Sequence, residues 1–428
     1  MASAPFLYRA YVALTCALVP LAAYLETKKL RQAGVPVHRA HEKLGHATED
    51  RQGSGPLIWF HAASVGESLS VLALITRIGV ALPDAHFLIT SGTPTSAELI
   101  AARMPPRCMH QFAPLDAPGP LKRFLKHWHP DAVVFVESEL WPQMLRRTKE
   151  SGARMVLVNA RLSAKSIAQW TKRAKLSAYV FDVFDLILTQ NDAMAQAMVD
   201  MNAPADRVAR GSNLKSLAGP LPVDQDALFE ARAALGHRPV WVASSTHPGE
   251  EIEVLQAHQI LLKRFPDLHL ILAPRHPQRG DEIAELISEM GLNYTRRSSG
   301  DDPGGAVFLA DTLGELGTWY ALTDIVFLGG SLEPIGGHNP FEVAQSGATV
   351  ISGPHVTNFA ETFAEMEDAG AAQHVEDGPA LAQAIATLLD DDTALHTAKS
   401  AIAQFADAQT DQLDRIAARV IKALGFAP

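Results

Sequence analysis

Apolar residues in this chain fall in short consecutive runs rather than at alternate positions. Runs at 57–61, 86–90, 132–136, 154–158 and 186–189 form a first series, and runs at 240–243, 269–273, 307–309, 325–328 and 349–352 form a second. A run that is apolar at nearly every position suits a strand covered on both faces, as in a parallel sheet. Between the runs, apolar residues recur at helical spacing, for example from Ser64 to about Leu82. Strands alternating with helices predict a doubly wound parallel sheet in each half. Pro and Gly gather at the start of 219–236, which is the expected linker. The expected globular domains are therefore 31–218 and 237–428. The second closes with Ala-rich helices at 379–389 and 394–424, expected to pack back across both halves.

One stretch departs from this pattern. Residues 10–25 are apolar apart from Thr15, with Pro20 inside, and Phe6-Leu7-Tyr8 extends them beyond Arg9. The length is at the short end for spanning or dipping into a bilayer, and 1–30 is the expected membrane anchor. Lys28, Lys29 and Arg31 follow it, which by the positive-inside rule places the bulk of the chain in the cytoplasm. A cleaved signal peptide is the rival reading, but its basic flank belongs on the other side. Arg39, His41, Lys43 and His46 continue a basic segment suited either to anionic headgroups or to a solvated helix face.

Composition narrows the field. At 428 residues and 47% hydrophobic, the chain has material for two cores. A formal charge of −10 argues against a nucleic-acid surface, so anionic ligands must be met by local Arg and Lys. Cys16 and Cys108 make neither a disulfide framework nor a metal-ligand set, and no Cys/His cluster has ligand spacing.

Candidate chemistry sits where the apolar runs end, because open α/β sheets bind ligands at the C-terminal edge of their strands. After the first run, Ser64-x-x-Glu67 is a capping box in which the glutamate serves the helix start. The same carboxylate, following Gly66 at a strand edge, suits a general base. The run 132–136 leads into Glu137-Ser138-Glu139-Leu140-Trp141-Pro142. Extended geometry sends the two carboxylates to opposite sides, one to cap the next helix and one to face the site, and spacing does not choose between them. Arg161 suits an acceptor phosphate or a structural ion pair. Lys215, a lone lysine after a strand, suits a surface position. In the second half, Ser245 and His247 lie in a strand–turn–helix that is either an anion seat or a plain N-cap. Arg275, after Pro274, has the fork that pairs with phosphate or carboxylate. Within 311–358, Leu313-Gly314-Glu315 opens a short helix. Later, Gly336-Gly337-His338-Asn339-Pro340 enters another, with Asn339 as N-cap, Pro340 at the first position, Phe341 next and Glu342 placed for a capping box. Loop glycines before a helix N-terminus are a seat for phosphate.

The strings HAASVGES at 61–68, GGSLEPIGGHNPFE at 329–342 and GPHVTNF at 353–359 closely resemble the 3-deoxy-D-manno-octulosonic acid (Kdo) transferases of Gram-negative lipopolysaccharide synthesis. The resemblance implies a GT-B fold, with two Rossmann-like domains facing a cleft and an N-terminal anchor helix. It implies inverting transfer of Kdo from CMP-Kdo to the lipid A precursor, lipid IVA, at the cytoplasmic face of the inner membrane, without a metal or other cofactor. Glu67 then resembles the general base, Glu137 a support of the transition state and Lys215 its cationic stabiliser. Pro274, Arg275, Leu313, Gly314, Glu315, Asn339, Pro340, Phe341 and Glu342 would surround the cytidine nucleotide, with Glu342 on the ribose hydroxyls. Three other readings share parts of the pattern: a GT-B transferase using another nucleotide sugar, a UDP-sugar epimerase, and a membrane-tethered sugar-binding protein.

Overall fold

The computed structural model describes residues 3–217 and 221–427, without the side chains of Lys215 and Ser216. It divides into two units, Met1–Ala218 with Asp411–Pro428, and Gly219–Thr410.

In the first unit, β1 (Leu57–His61), β2 (His86–Ser91), β3 (Cys108–Phe112), β4 (Ala132–Val136), β5 (Arg154–Ala160), β6 (Leu186–Thr189) and β7 (Val208–Arg210) form one parallel sheet. Their order is β3-β2-β1-β4-β5-β6-β7. Side chains alternate between two cores, with Ile58, Phe60, Val134 and Val156 on one face and Trp59, Val133, Phe135 and Leu157 on the other. Both faces are covered, so the strands read as continuous apolar runs. Each large side chain fully buried this way contributes about 1.5–3 kcal/mol before the entropy of ordering is set against it.

The second unit repeats the plan with β8 (Val240–Thr246), β9 (His269–Pro274), β10 (Tyr294–Arg296), β11 (Val307–Leu309), β12 (Ile325–Leu328), β13 (Thr349–Ser352) and β14 (Ala372–His374). All pair in parallel, in the order β10-β11-β9-β8-β12-β13-β14. Trp241, Ala243, Leu270 and Leu272 face one core, and Val242, Ile271 and Ala273 the other.

Four strands were not expected from the apolar pattern: β3, β7, β10 and β14. They are the four sheet edges. An edge strand bonds on one side only and is kept short and partly polar, which removes the apolar-run signal. In each sheet the strand order reverses at the central strand, because β1 pairs with both β2 and β4, and β8 with both β9 and β12. The crevice outside such a switch point is where this class of sheet binds ligands.

The closing helices are Gly378–Asp390 and Asp392–Ala423. The second is divided. Ile402 and Phe405 join a core of the second unit, whereas Leu413, Ile416 and Val420 join one beneath the first sheet. Residues from Asp411 onward therefore group with the first unit and not with the expected 237–428 domain.

The N-terminal helix, Phe6–Gln32, exceeds the expected apolar stretch at both ends and is long and apolar enough to cross a membrane. One side rests on the first unit. Tyr11 Oη donates to Asp116 Oδ2 at 2.7 Å, Gln143 Nε2 donates to Thr15 Oγ1 at 2.6 Å, and Leu30 is buried. Leu7, Leu14, Leu18, Leu21 and Leu25 are exposed, and their three-, four- and seven-residue spacing makes them one stripe.

Candidate active site

At the first switch point, β1 ends in a loop that turns into the helix Val65–Ala81. The capping box forms. Ser64 Oγ accepts from Glu67 N at 3.3 Å, and Glu67 Oε2 accepts from Ala63 N at 2.8 Å and Ser64 N at 3.4 Å. Both of these bonds to the carboxylate use the same oxygen. Glu67 is buried, and its pKa is raised first by that burial and next by the charge of Glu139, with Glu137 adding to it. The backbone N–H groups of Ala63 and Ser64 pull the other way. Capping and proton affinity thus reside in one side chain.

The two glutamates after β4 are separated by backbone strain and not by simple alternation. Glu137 has φ 52°, in the left-handed region. Its Oε1 accepts from Asn159 Nδ2 at 3.1 Å. Asn159 has φ 56° and sits where the register of β5 against β6 shifts. Its Oδ1 accepts from Gln190 Nε2 at 3.0 Å and Leu214 N at 3.1 Å. One buried amide therefore ties Glu137 to the turn Leu214–Leu217, which carries Lys215. The side chain of Lys215, an expected site residue, lies outside the described residues. Strained non-glycine residues of this kind gather at functional sites.

Glu139 is held differently. Its Oε2 accepts from His61 Nε2 at 3.1 Å and from Trp141 Nε1 at 2.6 Å. Burial pushes its pKa up, but the bonds and charge of His61 and the Trp141 N–H outweigh that and hold it below the ordinary glutamate value. Neither glutamate caps the helix Pro142–Glu150, as one was expected to do. Asp116 does so from the loop after β3, accepting from Gln143 N at 3.3 Å and Met144 N at 2.6 Å.

At the second switch point the organising residue is Glu250, which the sequence reading passed over. It opens the helix Glu250–Leu262 and is fully buried. Oε2 accepts from His247 N at 2.9 Å and Gly330 N at 2.7 Å, and Oε1 from Ser331 N and Leu332 N, both at 2.9 Å. One carboxylate thus joins the loops after β8 and β12. Its only sequence signal was an acidic residue in the first turn of a helix, which is common. The arrangement corrects two expectations. The N–H groups of residues 330–332 serve Glu250, and Gly337 N donates to Gly330 O at 2.7 Å, so the glycine loop is knit to the protein. The helix after it is the five-residue turn Pro340–Ala344, capped by Asn339, which accepts from Phe341 N at 3.2 Å. It carries Phe341 and Glu342 but is too short for the phosphate seat expected there. The hydroxyls at 244–246 do not cap either. The N-cap of the helix Glu250–Leu262 is Gly249, without a side-chain bond, and Ser244 Oγ bonds Tyr320 Oη at 2.8 Å.

Around this clamp stand the other expected residues of the second unit. Ser245, with φ 56°, occupies the register shift between β8 and β9. His247 and His338 stack at 5.2 Å with Nε2 atoms 2.9 Å apart, and His276 meets His247 edge-on at 5.6 Å. Burial, then the neighbouring His247 and Arg275, lowers the pKa of His338 to about 4, and burial lowers that of His247, so both rings are neutral at pH 7. Arg275 follows Pro274 at the end of β9 and is exposed. Leu313 and Gly314 follow β11, with Leu313 exposed, while Glu315 is engaged by Arg297 Nη2 at 2.7 Å and by Thr312. Among the described residues no three His, Cys, Asp or Glu side chains form a metal-holding group.

The structure is similar to that of a glycosyltransferase from Rickettsia africae, with a TM-score of 0.58 at 12% identity, over 88% of this chain and all of the other. That likeness is one of fold, two parallel-sheet α/β domains of a GT-B-like kind. The family model described as 3-Deoxy-D-manno-octulosonic-acid transferase (kdotransferase) matches residues 38–218. A probable mitochondrial 3-deoxy-D-manno-octulosonic acid transferase of Arabidopsis thaliana is 34% identical over 85% of this chain and 83% of its own length. The 3-deoxy-D-manno-octulosonic acid transferase of Rickettsia felis is 36% identical over 79% and 73%. The chain belongs to the Kdo transferase family and is a glycosyltransferase.

Proposed function

We propose that this enzyme transfers Kdo from CMP-Kdo to the lipid A precursor lipid IVA with inversion, acting at the cytoplasmic face of the inner membrane. The observation that carries the reading is Glu67, a carboxylate at the first switch point with its proton affinity raised by burial first and then by two neighbouring glutamates. A raised pKa makes it a stronger base than an ordinary glutamate. Both of its hydrogen bonds use Oε2. Oε1 takes the acceptor hydroxyl proton as that oxygen attacks the anomeric carbon of Kdo. The bond from that carbon to the CMP phosphate breaks, and the phosphate leaves with the electron pair. A single displacement of this kind inverts the anomeric centre. Glu137, oriented by Asn159, supports the transition state, and Lys215 meets the developing phosphate charge.

In this reading the first domain binds the acceptor and the second the nucleotide sugar. Pro274, Arg275, Leu313, Gly314, Glu315, Asn339, Pro340, Phe341 and Glu342 line the nucleotide, with Ser245 and His247 beside its phosphate. No metal takes part. The leucine stripe of the helix Phe6–Gln32 enters the membrane, and Lys28, Lys29 and Arg31 keep the catalytic units on the cytoplasmic side. Removal of residues 1–32 is then expected to release folded protein from membranes, and persistent binding would transfer that role to the globular surface.

The decisive experiment is incubation with CMP-Kdo and lipid IVA followed by mass spectrometry, which detects and counts added Kdo. Thermal shifts with CMP, CDP and UDP test the donor separately. A preference for UDP would overturn the CMP-Kdo assignment and favour a UDP-sugar enzyme.

A further inference from the structure

The first switch point presents a rigidly held indole to solvent. Trp141 is 43% exposed, whereas Trp59, Trp128, Trp241 and Trp319 are fully buried. Its Nε1 donates to Glu139 at 2.6 Å, Glu139 is bonded to His61 at 3.1 Å, and His61 Nδ1 is bonded to Thr90 Oγ1 at 2.9 Å. Thr90 also accepts from the buried Trp59 Nε1 at 2.8 Å. The polar edge of the indole is thereby turned to the protein through a buried chain that ends in the core of the sheet. Its apolar ring is what remains for solvent, already ordered, so a ligand need not immobilise it.

Two neighbours say what such a ring can hold. Glu139, which fixes the indole, bonds His61 at the end of β1, and the loop that follows His61 bonds Glu67 through Ala63 N, so the indole and the proposed base stand at the ends of two paired strands. Glu137 and the exposed Ser138 lie in the same loop, between the end of β4 and Trp141. An acyl chain gains nothing from carboxylates. A pyranose has one face of C–H groups that stacks on an aromatic ring and a rim of hydroxyls that hydrogen-bond to carboxylates. We propose that Trp141 is a stacking platform for a pyranose ring of the acceptor and presents one of its hydroxyls to Glu67. The inference rests on the functional reading above for its choice of acceptor, a glucosamine disaccharide.

The test measures W141A and W141F with lipid IVA and with the same disaccharide phosphate stripped of its acyl chains. W141A is expected to raise KM for both acceptors by about 3- to 10-fold, the scale of a lost aromatic stack, with KM for CMP-Kdo within about twofold of wild type. W141F, which keeps a ring, is expected to fall between the two. In wild type the Trp141 Nε1–H resonance, assigned by its loss in W141F, should shift when the stripped disaccharide is added. An unchanged acceptor KM in folded W141A overturns the proposal, as does an equal rise in both substrates' KM or an effect confined to the acylated acceptor, which assigns the ring to an acyl chain. If W141A does not fold, W141F and the resonance decide alone, and a W141F KM within about twofold of wild type with an unshifted resonance overturns it. Wild type that transfers no Kdo sinks the functional reading instead, while the resonance still reports whether Trp141 meets a sugar.

Discussion

The two switch points are built alike and use their glutamates in opposite ways. Glu67 and Glu250 each stand in the first turn of the helix that follows the central strand of their sheet. Glu67 receives two N–H groups on one oxygen and shares its surroundings with Glu137 and Glu139. Glu250 receives four N–H groups spread over both oxygens, from two loops. A carboxylate saturated with donors from two loops ties those loops together and stiffens what surrounds it. One with few donors and like-charged neighbours has its proton affinity raised and an oxygen left for chemistry. The number and source of donors, and not burial alone, separate the two roles.

That contrast breaks most visibly at Glu67. Glu67→Gln keeps the size and a carbonyl for the cap, so stability should change by under about 1 kcal/mol. Turnover should still fall at least about 10²-fold, because the amide cannot take a proton. Donor affinity should stay near wild type. Melting temperature, CMP-Kdo affinity and turnover on one preparation decide, and near-normal turnover would remove Glu67 from the mechanism and promote Glu137.

The same exchange at Glu250 should have the converse profile. Glu250→Gln sets an NH₂ against backbone N–H donors and forfeits the bonds at one oxygen. A loss of about 2–4 kcal/mol in denaturant unfolding is expected for those charge-assisted bonds. Nucleotide affinity should weaken with it, because the loops after β8 and β12 lose their common anchor. If stability is unchanged, the four short contacts do not hold the loops in solution, and the comparison fails on this side.

The smallest effect tests the coupling among the carboxylates. Glu139→Gln removes a negative neighbour that raises the Glu67 pKa. The acidic limb of kcat/KM should then move to lower pH. A shift upward, or none, would show that Glu139 does not act on the base. The sign for stability follows from linkage. With its pKa raised on folding, Glu67 binds its proton more tightly in the folded state. Its contribution is complete below the ordinary glutamate value and is lost as pH rises through the raised one. Glu67→Gln should flatten the fall of stability with pH in that window.

Much of this was legible in the residues themselves. Strands buried on both faces must be apolar at nearly every position, so the ten inner runs and the two parallel sheets could be read directly. Ser64-x-x-Glu67 and Asn339-Pro340 encode their caps locally, and both caps form. A helix across residues 10–25 followed from composition. The tertiary structure decided what depends on partners distant in sequence. The four edge strands exist because an inner neighbour bonds them, not because of their own composition. Asp116 caps the helix Pro142–Glu150, Asn159 joins Glu137 to the turn that carries Lys215, and Glu250 gathers N–H groups from some eighty residues away. No local spacing encodes such bonds, because a buried polar group takes whichever donor the fold brings to it. Glu67, Glu137 and Glu139 were therefore visible as candidates in the sequence, while the fold alone determined that the proton affinity of Glu67 is raised and that Glu250 ties two loops together.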